Sequence, residues 1–235
     1  MKYIYGLGKS GKSIINYLDK INEDYCCWDD NDNIKNNLYL RNKKIKLIQP
    51  NNLNFDLIKE SYISPGISFD NKNILALRLK KIKLYRDLEL YSQITKDKKI
   101  IAITGTNGKS TTTKLISDIL KYAEIDIFSG GNIGEPLLNF TNQNTKTKYH
   151  VIELSSFQLE SNDSFNPFIS ILLNISEDHL DRYNNFNEYI LQKEKIITSN
   201  KFGYNIVCVD DKNTKNIFHR HKKKIIPISS NYIEK

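Results

Sequence analysis

Thr104-Gly105-Thr106-Asn107-Gly108-Lys109-Ser110-Thr111 is the segment whose residue types are best suited to chemistry. It follows the apolar run 100–104 and opens a helical pattern with Leu115, Ile116, Ile119, Leu120 and Ala123 along one side. Glycines at such a junction let backbone N–H groups approach phosphate oxygens, and the helix N-terminus adds positive potential. Lys109 would reach the outer phosphates of a nucleotide, and the Ser110 hydroxyl would ligate Mg²⁺. The spacing is shorter than the standard phosphate loop, because position 103, where its first glycine belongs, is Ile. The plainer alternative is a glycine turn that caps a helix.

Further groups stand at the ends of other apolar runs. Glu153 closes the run 149–153; a carboxylate there faces the ligand crevice of an open α/β sheet and would be a second metal ligand, or it is simply solvated. Gly130-Gly131-Asn132-Ile133-Gly134 is either a flexible turn or a set of glycines that lets Asn132 approach a ligand. Residues 174–183, NISEDHLDRY, read as a helix start with Ser176 as cap, or as a crevice segment offering His179 to a metal or phosphate. In the helical pattern 186–198, Phe186, Ile190 and Ile197 form a stripe that contains Lys193, whereas Lys195 points the opposite way. A lysine on an apolar face must snorkel, pair or lose its charge.

The N-terminal Gly6-Leu7-Gly8-Lys9-Ser10-Gly11, with Asp29 about twenty residues on, matches a dinucleotide fingerprint. It implies a nucleotide or pyrophosphate at the first helix, NAD being one candidate. Ser64-Pro65-Gly66-Ile67 would form a rigid turn on the same crevice.

The elements that must position these groups alternate. Strands are expected at 3–5, 25–28, 46–48 and 61–63, with a helix at 10–20 whose apolar positions are Ile14, Tyr17, Leu18 and Ile21. A polar stretch, 95–99, then precedes a second series. Its strands are expected at 100–104, 125–128, 149–153, 168–173, 205–209 and 225–228, and its helices at 110–123, 186–198 and 212–218, with a polar loop at 142–148. This is an α/β chain: a Rossmann-like, doubly wound parallel sheet over 1–96, then a phosphate-loop mononucleotide-binding unit over 97–235.

The 235 residues carry a formal charge of +8, but only five of the 35 basic residues are Arg and the lysines are scattered. That pattern fits a coding bias better than a nucleic-acid interface, so no nucleic-acid partner is expected. No apolar run is long enough for a membrane span. The three cysteines lack metal-ligand spacing and read as reduced thiols, as in the cytoplasm.

Taken together, GLGKSG, SPGI, DLEL at 87–90, AITGTNGKST, GGNIG, ELSSFQLE at 153–160, NISEDHLDRY and the Lys193 helix resemble the Mur ligase family over nearly the whole chain. GTNGKST is shared with folylpolyglutamate synthases, while ELSSFQLE with GGNIG is similar to the D-glutamate-adding branch. The resemblance implies ATP-dependent amide formation: D-glutamate is joined to UDP-N-acetylmuramoyl-L-alanine through an acyl phosphate, in cytoplasmic peptidoglycan precursor synthesis, by a monomer. It implies that residues 105–111 hold ATP, that Ser110 and Glu153 serve one Mg²⁺, and that His179 and a carbamylated Lys193 serve a second. It places Gly8, Lys9, Ser10, Asp29, Ser64, Pro65, Gly66, Asn132, Ser155 and His179 at the UDP-sugar. Members also have a third domain for the amino acid and part of ATP; the expectation is that this sequence ends before its central unit is complete. Rivals are a related amide ligase, a nucleotide-binding remnant without turnover, or a simple ATPase.

Overall fold

The computed structural model describes residues 1–41, 45–142 and 147–231, and the side chains of 39–41 are outside that description, as is most of the expected loop at 142–148. Strand β1 (Lys2–Tyr5) ends at Gly6, which takes φ +94° where a Cβ would meet the Ser64 Cβ at 2.6 Å. Helix α1 (Lys9–Lys20) follows. A Cβ on Gly11 would lie 2.0 Å from the Gly6 carbonyl oxygen, so only glycine permits this close approach of helix and strand. That approach fixes the helix's rotation. Its buried face runs through Gly11, Ile14, Ile15 and Leu18, and Ile21, expected on that face, lies outside it.

Strand β2 (Tyr25–Trp28), helix α2 (Asp32–Arg41), strand β3 (Glu60–Ile63), helix α3 (Leu75–Leu79) and strand β4 (Lys83–Tyr85) complete the first unit. Its parallel sheet has the order β2-β1-β3-β4. The strand expected at 46–48 is only a single bridge, Leu47 to Cys27. Pro50 starts a 3₁₀ turn (Pro50–Asn52) directly afterwards, which stops the pairing from extending.

Helix α4 (Asp87–Ile94) leads to the second sheet. This comprises β5 (Lys99–Thr104), α5 (Lys109–Tyr122), β6 (Ile127–Gly131), β7 (Tyr149–Glu153), β8 (Ile169–Leu172), α6 (Phe186–Thr198), β9 (Tyr204–Cys208), α7 (Lys212–His221) and β10 (Ile225–Ile228). Its order is β10-β9-β8-β5-β7-β6, with all pairs parallel. The expected class, two successive parallel α/β sheets, is the one observed. Helices α2, α3 and α4 and strand β4 had no sequence assignment. The shortest, α3 and β4, cover less than two periods of their patterns, and α4 is buried all round from Asp87 to Ser92, so no contrast between an exposed and a buried face reveals it.

One apolar cluster runs through both units. It joins Ile4, Leu7 and Leu18 to Tyr91 and on to Phe128, Phe140, Leu154 and Leu172. Helix α5 meets the expectation in part: Ile116 and Leu120 pack against the core beside the buried Thr113 and Ser117, while Leu115, Ile119 and Tyr122 are exposed. The Ser117 hydroxyl donates to Thr113 O (2.7 Å) and pairs with the Ser129 hydroxyl (Oγ to Oγ 3.0 Å), contacts that fit this rotation of the helix. Among the described residues no helix is long and apolar enough to cross a membrane.

Candidate active site

In the second sheet β5 lies between β7 and β8, so the loops after β5, β6, β7 and β8 converge at one edge, the usual place for a ligand in an open α/β sheet. The loop after β5 begins α5 with Gly108 in the left-handed region, φ +81°. The segment after β8 clamps it. The Asn107 N–H donates to Asn174 Oδ1 (2.8 Å), Asn174 Nδ2 donates to Asn107 O (3.0 Å), and the Ser176 N–H donates to Thr106 Oγ1 (3.1 Å). Ser176 is therefore a loop clamp and not a helix cap. Helix α6 starts ten residues later, capped by Asn185.

Lys109, Asn132, Ser155, His179 and Lys193 line one cleft of about 160 Å³, together with Ser156, Phe157 and Tyr189. Lys109 Nζ donates to Gly105 O (3.0 Å) and Thr106 O (2.7 Å), and Lys193 Nζ donates to the same Gly105 oxygen (2.7 Å). Lys193 is 2% exposed and sits 4.7 Å from the centre of the Tyr189 ring, so it does not snorkel. Burial first, and then the Lys109 charge, push its pKa down to about 7, against the pull of Asp178 and Glu153. Lys195 is on a different face, donating to Glu160 O (2.5 Å).

Glu153 is buried at the end of β7, and its Oε1 accepts from Asn132 Nδ2 (2.9 Å). Gly131, at φ +122°, makes this contact possible, since a Cβ there would fall 2.1 Å from Glu153 O. His179 holds an uncommon φ of +54°, with its ring 4.9 Å from that of Phe157 and its Nε2 3.5 Å from Asp178 Oδ2. Ser110 is exposed in the first turn of α5. Among the described residues no three His, Cys, Asp or Glu side chains group to hold a metal. That donor set suits Mg²⁺, which takes one or two carboxylates and fills its remaining positions with phosphate oxygens and water. A single oriented carboxylate beside a phosphate loop fits such an ion.

The loops of the first sheet are tied differently. Asp29 accepts from the Leu7 N–H (2.6 Å) through Oδ2 and from the Asn31 N–H (2.8 Å) through Oδ1, so one oxygen braces the glycine loop and the other its own turn. Gly8 and Lys9 remain accessible on that loop, and the Ser10 hydroxyl bonds Asp87. The turn at Ser64, Pro65 and Gly66 is gripped by two arginines. Arg86 Nη1 donates to Ser64 O (2.8 Å) and Ile67 O (2.9 Å); Arg182 donates to Gly66 O and Pro65 O (both 3.1 Å). Neither arginine was singled out from the sequence. The available signal was rarity: two of only five arginines meet at one turn.

Residues 103–234 match the Mur ligase middle domain. A protein of Wolbachia pipientis wMel named UDP-N-acetylmuramoylalanine–D-glutamate ligase is 39% identical over 231 residues, 97% of this chain and 44% of that protein. One of the same name from Citrifermentans bemidjiense is 42% identical over 103 residues, 43% of this chain and 22% of that protein. The chain thus spans less than half the length of these curated relatives. The solved UDP-N-acetylmuramate:L-alanyl-gamma-D-glutamyl-meso-diaminopimelate ligase from Neisseria meningitides superposes with a TM-score of 0.61. It covers 93% of this chain and 74% of its own at 14% identity, a likeness of fold.

Proposed function

Because the chain belongs to the Mur ligase family, we propose that it supplies the UDP-sugar and ATP sites of a cytoplasmic ligase that adds D-glutamate to UDP-N-acetylmuramoyl-L-alanine. The observation that carries this is the cleft, which gathers side chains from the ends of β5, β6, β7 and β8 and from α6 around a phosphate loop. Similarity to the Wolbachia protein over 97% of the chain supports the choice of substrate.

In this reading residues 1–96 hold the uridine diphosphate, through Gly8, Lys9, Ser10 and the 64–66 turn, with Asp29 bracing the loop. Residues 97–235 hold ATP through 105–111. Lys109 exchanges two backbone carbonyls for phosphate oxygens, which are better partners for an ammonium. Mg²⁺, with Ser110 and Glu153 at one position and His179 and Lys193 at the other, would neutralise charge on the phosphates. Lys193 serves as a carbamate: its buried amine is neutral at a pH where ordinary lysines are charged, and adding CO₂ turns it into an oxygen donor. Asn132 and Ser155 orient the substrate carboxylate. A carboxylate oxygen attacks the γ-phosphorus as the bond to the ADP oxygen breaks; the amine of D-glutamate then attacks the acyl carbon and phosphate leaves.

The test is calorimetric titration of the purified chain with Mg·ATP, UDP-N-acetylmuramoyl-L-alanine and UDP-N-acetylglucosamine. Binding of the first two, with discrimination against the third, is expected. Binding of none of them would sink the reading.

A further inference from the structure

Two consecutive side chains of opposite charge, both under 2% exposed, lie where the two units meet. Arg86 precedes α4 in an extended conformation and Asp87 begins that helix. Arg86 reaches both ways. Its Nη1 holds the carbonyls of Ile63, Ser64 and Ile67, while Nε and Nη2 donate to Glu160 Oε2, the former at 3.1 Å. Asp87 does the same for the other loop. It accepts from the Ser10 hydroxyl on one side and from Gln158 Nε2 (3.3 Å) on the other. Gln158 Oε1 in turn accepts from the Ser155 N–H (3.2 Å), and the Gln158 N–H donates to Ser155 Oγ (3.2 Å). Each first-sheet loop read as a diphosphate site is thereby connected to the segment 153–160, which forms a wall of the cleft.

Burying a guanidinium and a carboxylate is costly, and apolar residues of similar volume often serve stability as well or better. The seam is already closed by a continuous apolar cluster, so adhesion does not require these charges. Directional hydrogen bonds supply what apolar contact cannot, a fixed distance and angle. Building on the function proposed above, we infer that Arg86 and Asp87 are positioning residues: they set the span between the diphosphate loops and the cleft, and so select for a substrate whose carboxylate lies one sugar-and-acyl length from its pyrophosphate.

The purified chain tests this with two ligands, UDP alone and UDP-N-acetylmuramoyl-L-alanine, titrated calorimetrically. In the unaltered chain the longer ligand binds tighter, because it engages both ends. Asp87→Ala lowers the ratio of the two affinities about tenfold, since a small misplacement between bound ends is costly; Asp87→Asn, which keeps an acceptor for Gln158, restores most of it. Melting curves establish that the variants fold. If Asp87→Ala does not fold, Gln158→Met breaks the chain one link closer to the cleft and is read in the same way. An equal loss for both ligands, or an unchanged ratio, overturns the positioning role while leaving the functional reading intact. Failure of the unaltered chain to bind either ligand removes the functional reading and the positioning role with it.

Discussion

The two sets of loops differ in how their polar groups are satisfied. In the first sheet, Asp29 bonds the Leu7 and Asn31 amides, and Asp30 accepts from Tyr5 Oη (2.5 Å), Asn73 Nδ2 (3.0 Å) and Trp28 Nε1 (3.2 Å). Its groups are largely paired within the protein. In the second sheet two lysines share one carbonyl oxygen, one of them buried with a lowered pKa, and a histidine is held at positive φ. Such unrelieved charge and strain cluster at functional sites. The polar groups of the first region are satisfied internally; those of the second leave a charged cleft.

Lys109→Ala should have the largest effect and sharpen that contrast most. Affinity for Mg·ATP is expected to fall at least a hundredfold, about 3 kcal/mol, while UDP binding at the first sheet changes by less than about threefold, since sites with no shared partners act independently. Calorimetry with each nucleotide measures both; an equal fall for UDP would break the distinction.

The core beneath both regions gives the next effect. His150 is buried with its Nδ1 2.8 Å from Tyr91 Oη, and burial pushes its pKa down to about 4. The unfolded chain takes up this proton near the ordinary histidine pKa, the folded chain only near 4. Stability is thus full above about pH 6.5 and declines as pH falls toward 4, by at most about 3 kcal/mol. Urea titrations at several pH values, compared with His150→Gln, isolate this contribution. Fluorescence of the single tryptophan, Trp28 in the first sheet, and far-UV dichroism of the whole chain should report one transition. Two separate transitions would show that the regions stand on separate cores.

Lys193→Ala should weaken Mg·ATP binding about tenfold, and Lys195→Ala by less than about twofold, because only the first lines the cleft. In ¹³C-bicarbonate, a carbamate resonance should grow as pH rises through 7 and vanish in the Lys193 variant alone. Its persistence there would move the carbamate elsewhere. The smallest effect is expected at Asp29→Ala. Because that carboxylate braces its own loop, the loss should register mainly as about 1 kcal/mol of stability, read from the shift in urea midpoint, with UDP affinity following only through the loosened loop.

The phosphate loop and the ends of strands β1, β5 and β7 were legible in the sequence, because glycine placement and apolar alternation act within a few residues. So were Glu153, Asn132 and His179 as crevice residues once the strands were placed, and the singular position of Lys193 in its helix, whereas Ser155 came only from the family resemblance. The exact rotation of α5 was not legible: Ile116 and Leu120 of its apolar stripe pack inward, but Thr113 and Ser117 share that buried face, Ser117 bonded to Ser129, and leave Leu115 and Ile119 exposed. Nor was the shortening of the expected strand at 46–48, which ahead of Pro50 is a single bridge.

What the sequence determined by itself was therefore local: which backbone can turn tightly, which stretch alternates, which residue types can hold a phosphate. The tertiary structure decided which of these local pieces face one another. It set the Lys109 and Lys193 amines on one carbonyl, and it brought Arg86 and Arg182, 96 residues apart in the chain, to a single turn. Partners that distant are selected by strand order and by the burial cost of unpaired charge, and neither is written in the spacing of neighbouring residues.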